Sequence, residues 1–227
     1  MKIPVIKPTK FTFEIREILD ELSGFINSDE VKEALPRLHK DNEFNRRMGA
    51  VNSSFSDVEA ITERMVGDIM TLIDEERKKS NLSSKHISLL KVDLRSLYVH
   101  IKILLDDYVK LLQFITPFRG IPNYSITAFF NKLNKYKGAE PAIIDFNSKC
   151  LEYLRGIDEH IREYRDISVV HNHNKHKQRT EWFVNGMNGE IRFSGGAKSS
   201  LTPQEVLFIA KQFIDRSAQF VMESIAN

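Results

Sequence analysis

Arg165, Asp166 and His171 are residue types that can act on a phosphodiester without a metal ion. Histidine titrates near neutral pH, so it can take a proton from a hydroxyl or give one to a leaving group. Arginine stays charged and can hold phosphate oxygens in a fork geometry. In RNA the 2′-hydroxyl lies beside the phosphate, so a base that deprotonates it can produce a cyclic phosphate and a free 5′-hydroxyl. These three residues are therefore the candidate catalytic residues.

A basic, histidine-rich tract follows directly after this group. It contains His173, Lys175, His176, Lys177 and Arg179. No acidic residue stands from 167 to 180, although the whole chain is nearly balanced, with 33 basic and 31 acidic residues and a net charge of +2. Because the global charge says nothing about nucleic acid, any binding of phosphate must come from a local patch. The tract is predicted to be that patch and to bind RNA.

The spacing of Arg165 and His171 indicates how a site could be assembled. Six residues along an α-helix turn through about 600°, so the two side chains point about 120° apart. They converge only if the helix frays near Val169 or if a second subunit supplies the complement across a two-fold axis. The spacing therefore favours a site that is shared by the subunits of a homodimer.

Other interpretations of the same residues stay open. Arg165 could form a surface ion pair while His171 interacts with the C-terminal end of a helix. His171, His173 and His176 could chelate a transition metal, although no carboxylate stands nearby in the sequence,. The tract could also be a solvated basic loop. Since the chain has no glycine-rich phosphate loop, no Cys-x-x-Cys pair and no His-Glu-x-x-His, we expect no metal and no cofactor,.

The elements that must position these residues are mainly helices. Apolar residues recur at helical spacing from Phe13 onward and within 85–115, 125–136, 140–171 and 202–225,. The polar segment 39–55 is predicted to be a loop or short helix, and Ser56 with Glu59 to be a capping box that opens the next helix. The runs 181–184 and 190–193, which flank an Asn-Gly turn sequence, predict a β-hairpin.

These patterns predict an all-α fold, an up-and-down helical bundle with a small β-hairpin before the last helix. Residues 1–80 are expected to form an N-terminal helical extension, and residues 81–227 a four-helix domain. The single cysteine, Cys150, excludes an intrachain disulfide and favours a packed structural thiol over a nucleophile,. No signal peptide or long apolar span is apparent, so we expect no membrane association and a cytoplasmic location.

The sequence resembles the HEPN superfamily over residues 85–227. The signature of that superfamily is an Arg, usually followed by a polar residue, and then a His after four to six intervening residues, late in a long helix. Here Asp166 follows Arg165, and five residues separate Arg165 from His171. The segment 104–108, Leu-Leu-Asp-Asp-Tyr, looks like part of the first core helix of several HEPN groups, and the last helix, which opens at Thr202, is also similar.

The resemblance implies a bundle of four to five helices. It further implies a metal-independent endoribonuclease of the toxin or defence type, in which two motifs face each other across a dimer. His171 would be the acid/base, Arg165 would hold the phosphate and Asp166 would orient them. Other HEPN proteins are inactive and bind RNA, a nucleotide or a partner protein, so a regulatory module is the alternative. A small antitoxin or regulatory protein is a further possible partner.

Overall fold

A computed structural model of the chain describes residues 6–78, 84–116, 118, 120–121, 124–164, 181–185, 190–194 and 203–226. Most of these residues are helical, which confirms the predicted all-α class. The helices are α1 (Ile6–Ile26), α2 (Asp29–Ala34), α3 (Glu43–Arg77), α4 (Ser84–Ile115), α5 (Ile126–Asn134), α6 (Pro141–Tyr164) and α7 (Pro203–Ala226). Two strands, β1 (Glu181–Asn185) and β2 (Glu190–Ser194), pair antiparallel with Phe183 opposite Arg192.

Helix α3 is continuous from Glu43 to Arg77, so the prediction of a loop or short helix over 39–55 was wrong from Glu43 onward, and the capping box at Ser56 was wrong. Phe44, Met48, Val51 and Phe55 are spaced by four, three and four residues, and all are buried. Ser56 lies inside the helix, where its hydroxyl donates to the carbonyl oxygen of Asn52 at 2.9 Å. An amphipathic face packed on a core stabilises a helix whatever the polarity of its outer side. The polar residues of this segment are therefore the outer side of a core helix.

Helices α3 and α4 pack against each other more extensively than any other pair among the described elements. Ser54 of α3 donates to Asp107 of α4 at 2.6 Å. Ten residues further along α3, Arg64 donates to both carboxylate oxygens of Asp93, at 2.8 and 3.3 Å. Because the partner number falls as the α3 number rises, the two helices run antiparallel.

The N-terminal helices share one hydrophobic core with the rest of the described chain. This core extends without a break from Ile15 to Val221. Helix α1 packs against α7 and α3, and Arg16 forms an ion pair with Glu59 at 2.7 Å. Arg37 donates to the carbonyl oxygen of Ile115 at 2.8 Å, so a cation lies at the C-terminal end of α4,. The boundary predicted near residue 80 does not coincide with a division of the core.

A buried polar contact joins α4 to α7 at the centre of the core. Tyr108 is fully buried, and its hydroxyl donates to the carbonyl oxygen of Ile214 at 3.1 Å. The same hydroxyl lies 2.9 Å from Oγ of Ser217, which itself donates to the carbonyl oxygen of Phe213 at 2.6 Å. Burial raises the pKa of Tyr108, because the phenolate would be formed away from water,. The tyrosine is thus a neutral, hydrogen-bonded core residue.

Aromatic side chains fill the space between α5, α6 and α7. The ring centroid of Phe146 lies 5.3 Å from the centroid of Phe220, 5.3 Å from that of Phe118 and 5.8 Å from that of Phe129. Several of these pairs meet edge to face, the arrangement that the quadrupoles of aromatic rings favour. This cluster holds α5 and α6 together, and α6 is the helix that leads into Arg165.

The continuity of α3 predicts different costs for two adjacent substitutions. Phe55→Ala should lower the free energy of unfolding by about 3–5 kcal/mol, because a fully buried ring is lost from the core,. Ser56→Ala should change it by less than about 0.5 kcal/mol, because the exposed hydroxyl bonds only within its own helix,. Urea unfolding followed by circular dichroism measures both. A cost of about 1 kcal/mol or more for Ser56→Ala would instead indicate a helix start at that residue.

Candidate functional site

The predicted catalytic residues Arg165, Asp166 and His171 lie outside the described residues, and the same is true of the predicted RNA-binding residues His173, Lys175, His176, Lys177 and Arg179. The described chain stops at Tyr164, the last residue of α6, and resumes at Glu181 in β1. The geometry of this site therefore stays a prediction.

The helix that precedes the motif is firmly packed. Its buried side chains recur at helical spacing and include Phe146, Cys150, Leu154 and Ile157. They face α7 and α5, the two helices with which α6 makes most of its contacts. The core therefore supports α6 on two sides over the part of the helix that carries these buried residues.

Cys150 lies in this core and has the surroundings of a structural thiol. Its side chain is fully buried, and burial raises its pKa to about 12 from an ordinary value of 9.0. A thiol reacts as the thiolate, which a buried apolar site disfavours. The burial supports the prediction that Cys150 packs and does not act as a nucleophile.

A basic cleft lies on the outer side of α5. Its volume is about 630 Å³. It is lined by Gly120, Ile121, Tyr124, Ala128, Asn131, Lys132, Lys135, Tyr136 and Lys137. We call this cavity the α5 cleft, and Lys132, Lys135 and Lys137 the cleft lysines. The lining contains three cations, two phenols and one amide, but no carboxylate.

The sequence of α5 explains why the basic side faces outward. Ile126, Phe129, Phe130 and Leu133 are buried, whereas Asn131, Lys132 and Lys135 on the other side are exposed. The start of the helix is held at two points. Ser125 accepts from the backbone N–H of Ala128 at 3.2 Å, and Asp106 of α4 accepts from that of Ile126 at 2.8 Å. These contacts and the apolar face determine the orientation of the basic face.

The two tyrosines of the cleft differ in solvent exposure and in hydrogen bonding. Tyr124 is 68% exposed. Tyr136 is partly buried against the core, and its hydroxyl accepts from the backbone N–H of Glu140 at 3.1 Å. A Cβ at Gly138 would collide with that hydroxyl, so glycine is required for the ring to approach the backbone this closely. One ring is therefore held in position while the other projects into solvent.

The cleft lysines carry charge that the described residues do not neutralise. No carboxylate in the described part of the chain forms an ion pair with any of them, whereas Lys102, Lys110, Lys149 and Lys211 are all paired. The cleft was not expected from the sequence, although a signal was present. No Asp or Glu stands between Asp107 and Glu140, an interval longer than the acid-free tract after His171.

A smaller cavity of about 250 Å³ lies between α6 and α7. It also contains cations, but these have partners. Lys149 pairs with Glu223 at 2.9 Å and with Asp145 at 3.2 Å, and hydrogen bonds with these two carboxylates raise the pKa of Lys149. Its charge is satisfied within the protein, so this cavity is a weaker candidate for an anionic ligand than the α5 cleft.

The described residues contain neither a metal-binding cluster nor a membrane-spanning helix. In those parts of the chain, no group of three or more His, Cys, Asp or Glu side chains is placed to hold a metal ion. Of the helices described, none is long and apolar enough to cross a bilayer.

The buried thiol predicts how stability changes at alkaline pH. The unfolded chain loses the Cys150 proton near pH 9, whereas the folded chain keeps it to about pH 12, so the folded state binds more protons in this range,. The free energy of unfolding should therefore fall as the pH rises above 9. Denaturant unfolding at pH 8 to 11 measures this, and Cys150→Ala should show a shallower fall. Rapid labelling of native Cys150 by a thiol reagent at pH 8 would contradict the burial.

No family model, no curated protein and no solved structure matches this chain at a significant level.

Proposed function

We propose that this protein is a HEPN-like, metal-independent endoribonuclease that acts as a homodimer through Arg165, Asp166 and His171. The observation that carries the proposal is the Arg-Asp-x4-His sequence, which stands directly after the packed helix α6. The acid-free basic tract that follows it supports binding of phosphate next to the motif,.

The proposed reaction uses the RNA itself as the nucleophile. His171 removes the proton from a 2′-hydroxyl, whose oxygen then attacks the adjacent phosphorus. The bond from phosphorus to the 5′-oxygen breaks, and that oxygen leaves as a hydroxyl after it takes up a proton. Arg165 binds the non-bridging oxygens and stabilises the charge that develops on them. The products are a 2′,3′-cyclic phosphate and a free 5′-hydroxyl.

The arrangement of the described helices supports a HEPN-like bundle in residues 81–227. In this part of the chain α7 packs against both α4 and α6, and α5 packs against α6. A two-stranded antiparallel pair stands between α6 and α7, where the proposed topology has its hairpin. Residues 1–80 would then be an extension whose helices α1 and α3 are packed onto α7 and α4.

Apolar side chains on α4 support the proposed homodimer. Leu89, Val92, Val99 and Ile103 are 36–58% exposed. At about 100° per residue they fall within an arc of about 80° on one side of the helix. A group of exposed apolar side chains on one side of a helix is typical of an interface. A second copy of the chain is the occupant that the shared Arg165/His171 site requires.

An inactive binding or regulatory module is the second candidate function. Asp166 favours it over catalysis, because a carboxylate next to the motif opposes the additional negative charge that develops on the phosphate oxygens during cleavage,. Such a module would bind RNA, a nucleotide or a partner protein without cutting RNA. In that case Arg165→Ala would abolish binding, and no cleavage product would form with any variant.

The proposed activity predicts RNA cleavage in the presence of EDTA. The purified protein should cut single-stranded RNA to fragments with cyclic phosphate ends, and His171→Ala should reduce the rate by at least about 100-fold. His100→Ala is a matched control, since His100 lies on α4 and its ring bonds to the carbonyl oxygen of Ser96. Gel separation and mass analysis of the products measure both. Equal cleavage by wild type and His171→Ala would refute the proposal.

The homodimer predicts a linked loss of assembly and activity. Val92→Lys combined with Val99→Lys should convert the dimer to a monomer, because two charges would have to be buried in the interface. Cleavage should fall with it. Ile144→Lys, at an exposed apolar position on α6, is the control and should leave the mass unchanged. Light scattering coupled to gel filtration measures the mass, and a wild-type monomer would contradict the shared site.

A further inference from the structure

We propose that the α5 cleft binds a single-stranded polynucleotide, with an unpaired base stacked on Tyr124 and phosphates bound by the cleft lysines. The site goes beyond the proposed function, because it shares no residue with the Arg165/His171 motif and does not require that motif to be catalytic. The ligand class is a phosphodiester chain with unpaired bases, which both single-stranded RNA and single-stranded DNA provide.

The charge of the cleft favours a polyanion. Three cations line one cavity of about 630 Å³, and the lining contains no carboxylate. Asp106, the acidic residue that contacts the start of α5, is already engaged by the backbone N–H of Ile126 and by Lys102. The cleft lysines are therefore available to neutralise phosphates and to release the counterions condensed on them.

The exposed phenol favours unpaired bases over a simple polyanion. At 68%, Tyr124 has the largest exposed fraction among the exposed large hydrophobic side chains of the described structure. An exposed aromatic ring beside a basic groove is the combination by which proteins bind single strands without sequence preference, since every base has a face that can stack. The ring of Tyr136 offers a second surface that is already fixed by Gly138 and Glu140.

The outer face of α5 has a suitable shape for a strand. Ala128, Lys132 and Lys135 follow one another at spacings of four and three residues, so they lie along the same side of the helix,. Asn131 adds an amide that can both donate to and accept from the edge of a base. The cleft thus combines stacking, phosphate contacts and a polar group within a few turns of chain.

Binding is tested with probes that the proposed ribonuclease cannot cleave. The probes are a fluorescent dodecamer of 2′-O-methyluridine and a fluorescent dodecamer of oligo(dT), which both lack a free 2′-hydroxyl. Inorganic polyphosphate and a poly-glutamate peptide serve as competitors that carry charge without bases. Anisotropy titrations of the full-length protein between 50 and 300 mM salt measure the affinity and its salt dependence. Failure of the cleavage assay leaves this binding test unaffected.

Two variants separate stacking from charge. Tyr124→Ala should weaken binding of both dodecamers by roughly 5- to 100-fold, the range found when a stacked aromatic is removed. It should not change binding of polyphosphate. Replacement of all three cleft lysines by Gln should weaken binding by at least about tenfold and reduce the slope of log affinity against log salt by about 2. These side chains are exposed apart from their contacts in the cleft, so the fold should be retained.

A matched variant controls for net charge. Lys40→Gln, Lys78→Gln and Lys85→Gln together remove the same charge from exposed positions outside the cleft. This variant should bind nearly as well as wild type. An equal loss of affinity in both triple variants would overturn the proposal. Unchanged binding by the two cleft variants would also overturn it and would move the site to the tract 171–179. Binding of poly-glutamate that is insensitive to Tyr124→Ala would identify an acidic protein segment as the occupant instead.

The two dodecamers distinguish the source of the strand. Similar affinities for both would indicate a site for any unpaired polynucleotide. A preference for the 2′-O-methyluridine dodecamer of about tenfold or more would indicate RNA. No measurable binding of either probe by wild type at 50 mM salt would overturn the proposal.

Discussion

Three consecutive residues of α4 form hydrogen bonds to three other helices. Asp106 accepts from the first backbone N–H of α5, Asp107 accepts from Ser54 of α3, and Tyr108 donates to the backbone of α7. Successive residues of an α-helix point about 100° apart, so three neighbours can reach three different helices. Each contact is polar and at least partly buried, and such contacts specify one arrangement because a mismatch would leave a buried group without a partner. Helix α4 thus fixes the positions of α3, α5 and α7.

The α5 cleft follows from these contacts. Because Asp106 and Ser125 fix the first turn of α5, Phe129 enters the aromatic cluster with Phe146 and Phe220, and Phe130 is buried beside it in the chain. The opposite side, which carries the cleft lysines, is then left in water. A rotation of α5 would expose the phenylalanines, which costs far more than any gain from solvating the lysines elsewhere. The position of the basic face is therefore a consequence of core packing.

The two proposed sites share a pattern of charge along the sequence. Both sites are rich in cations and both lie in intervals of the sequence without acidic residues, 108–139 and 167–180. A chain with a net charge of only +2 thus contains two intervals in which basic residues have no acidic neighbours in the sequence. This distribution is the physical basis for proposing that each interval meets a phosphodiester chain.

The sequence alone determined the helical class, most of the helices, the structural character of Cys150, and the motif that suggests a ribonuclease. These features depend on local spacing, which periodicity and residue type reveal directly. Sequence patterns failed at 43–55, where four buried apolar residues such as Phe44 and Phe55 keep α3 helical despite many polar neighbours. Tertiary structure alone decided that α1 and α3 share the core with α4 and α7, and that Tyr124 and the cleft lysines line one cavity. Periodicity identifies the face that a helix buries but not its partner, because that choice depends on contacts between residues far apart in the chain.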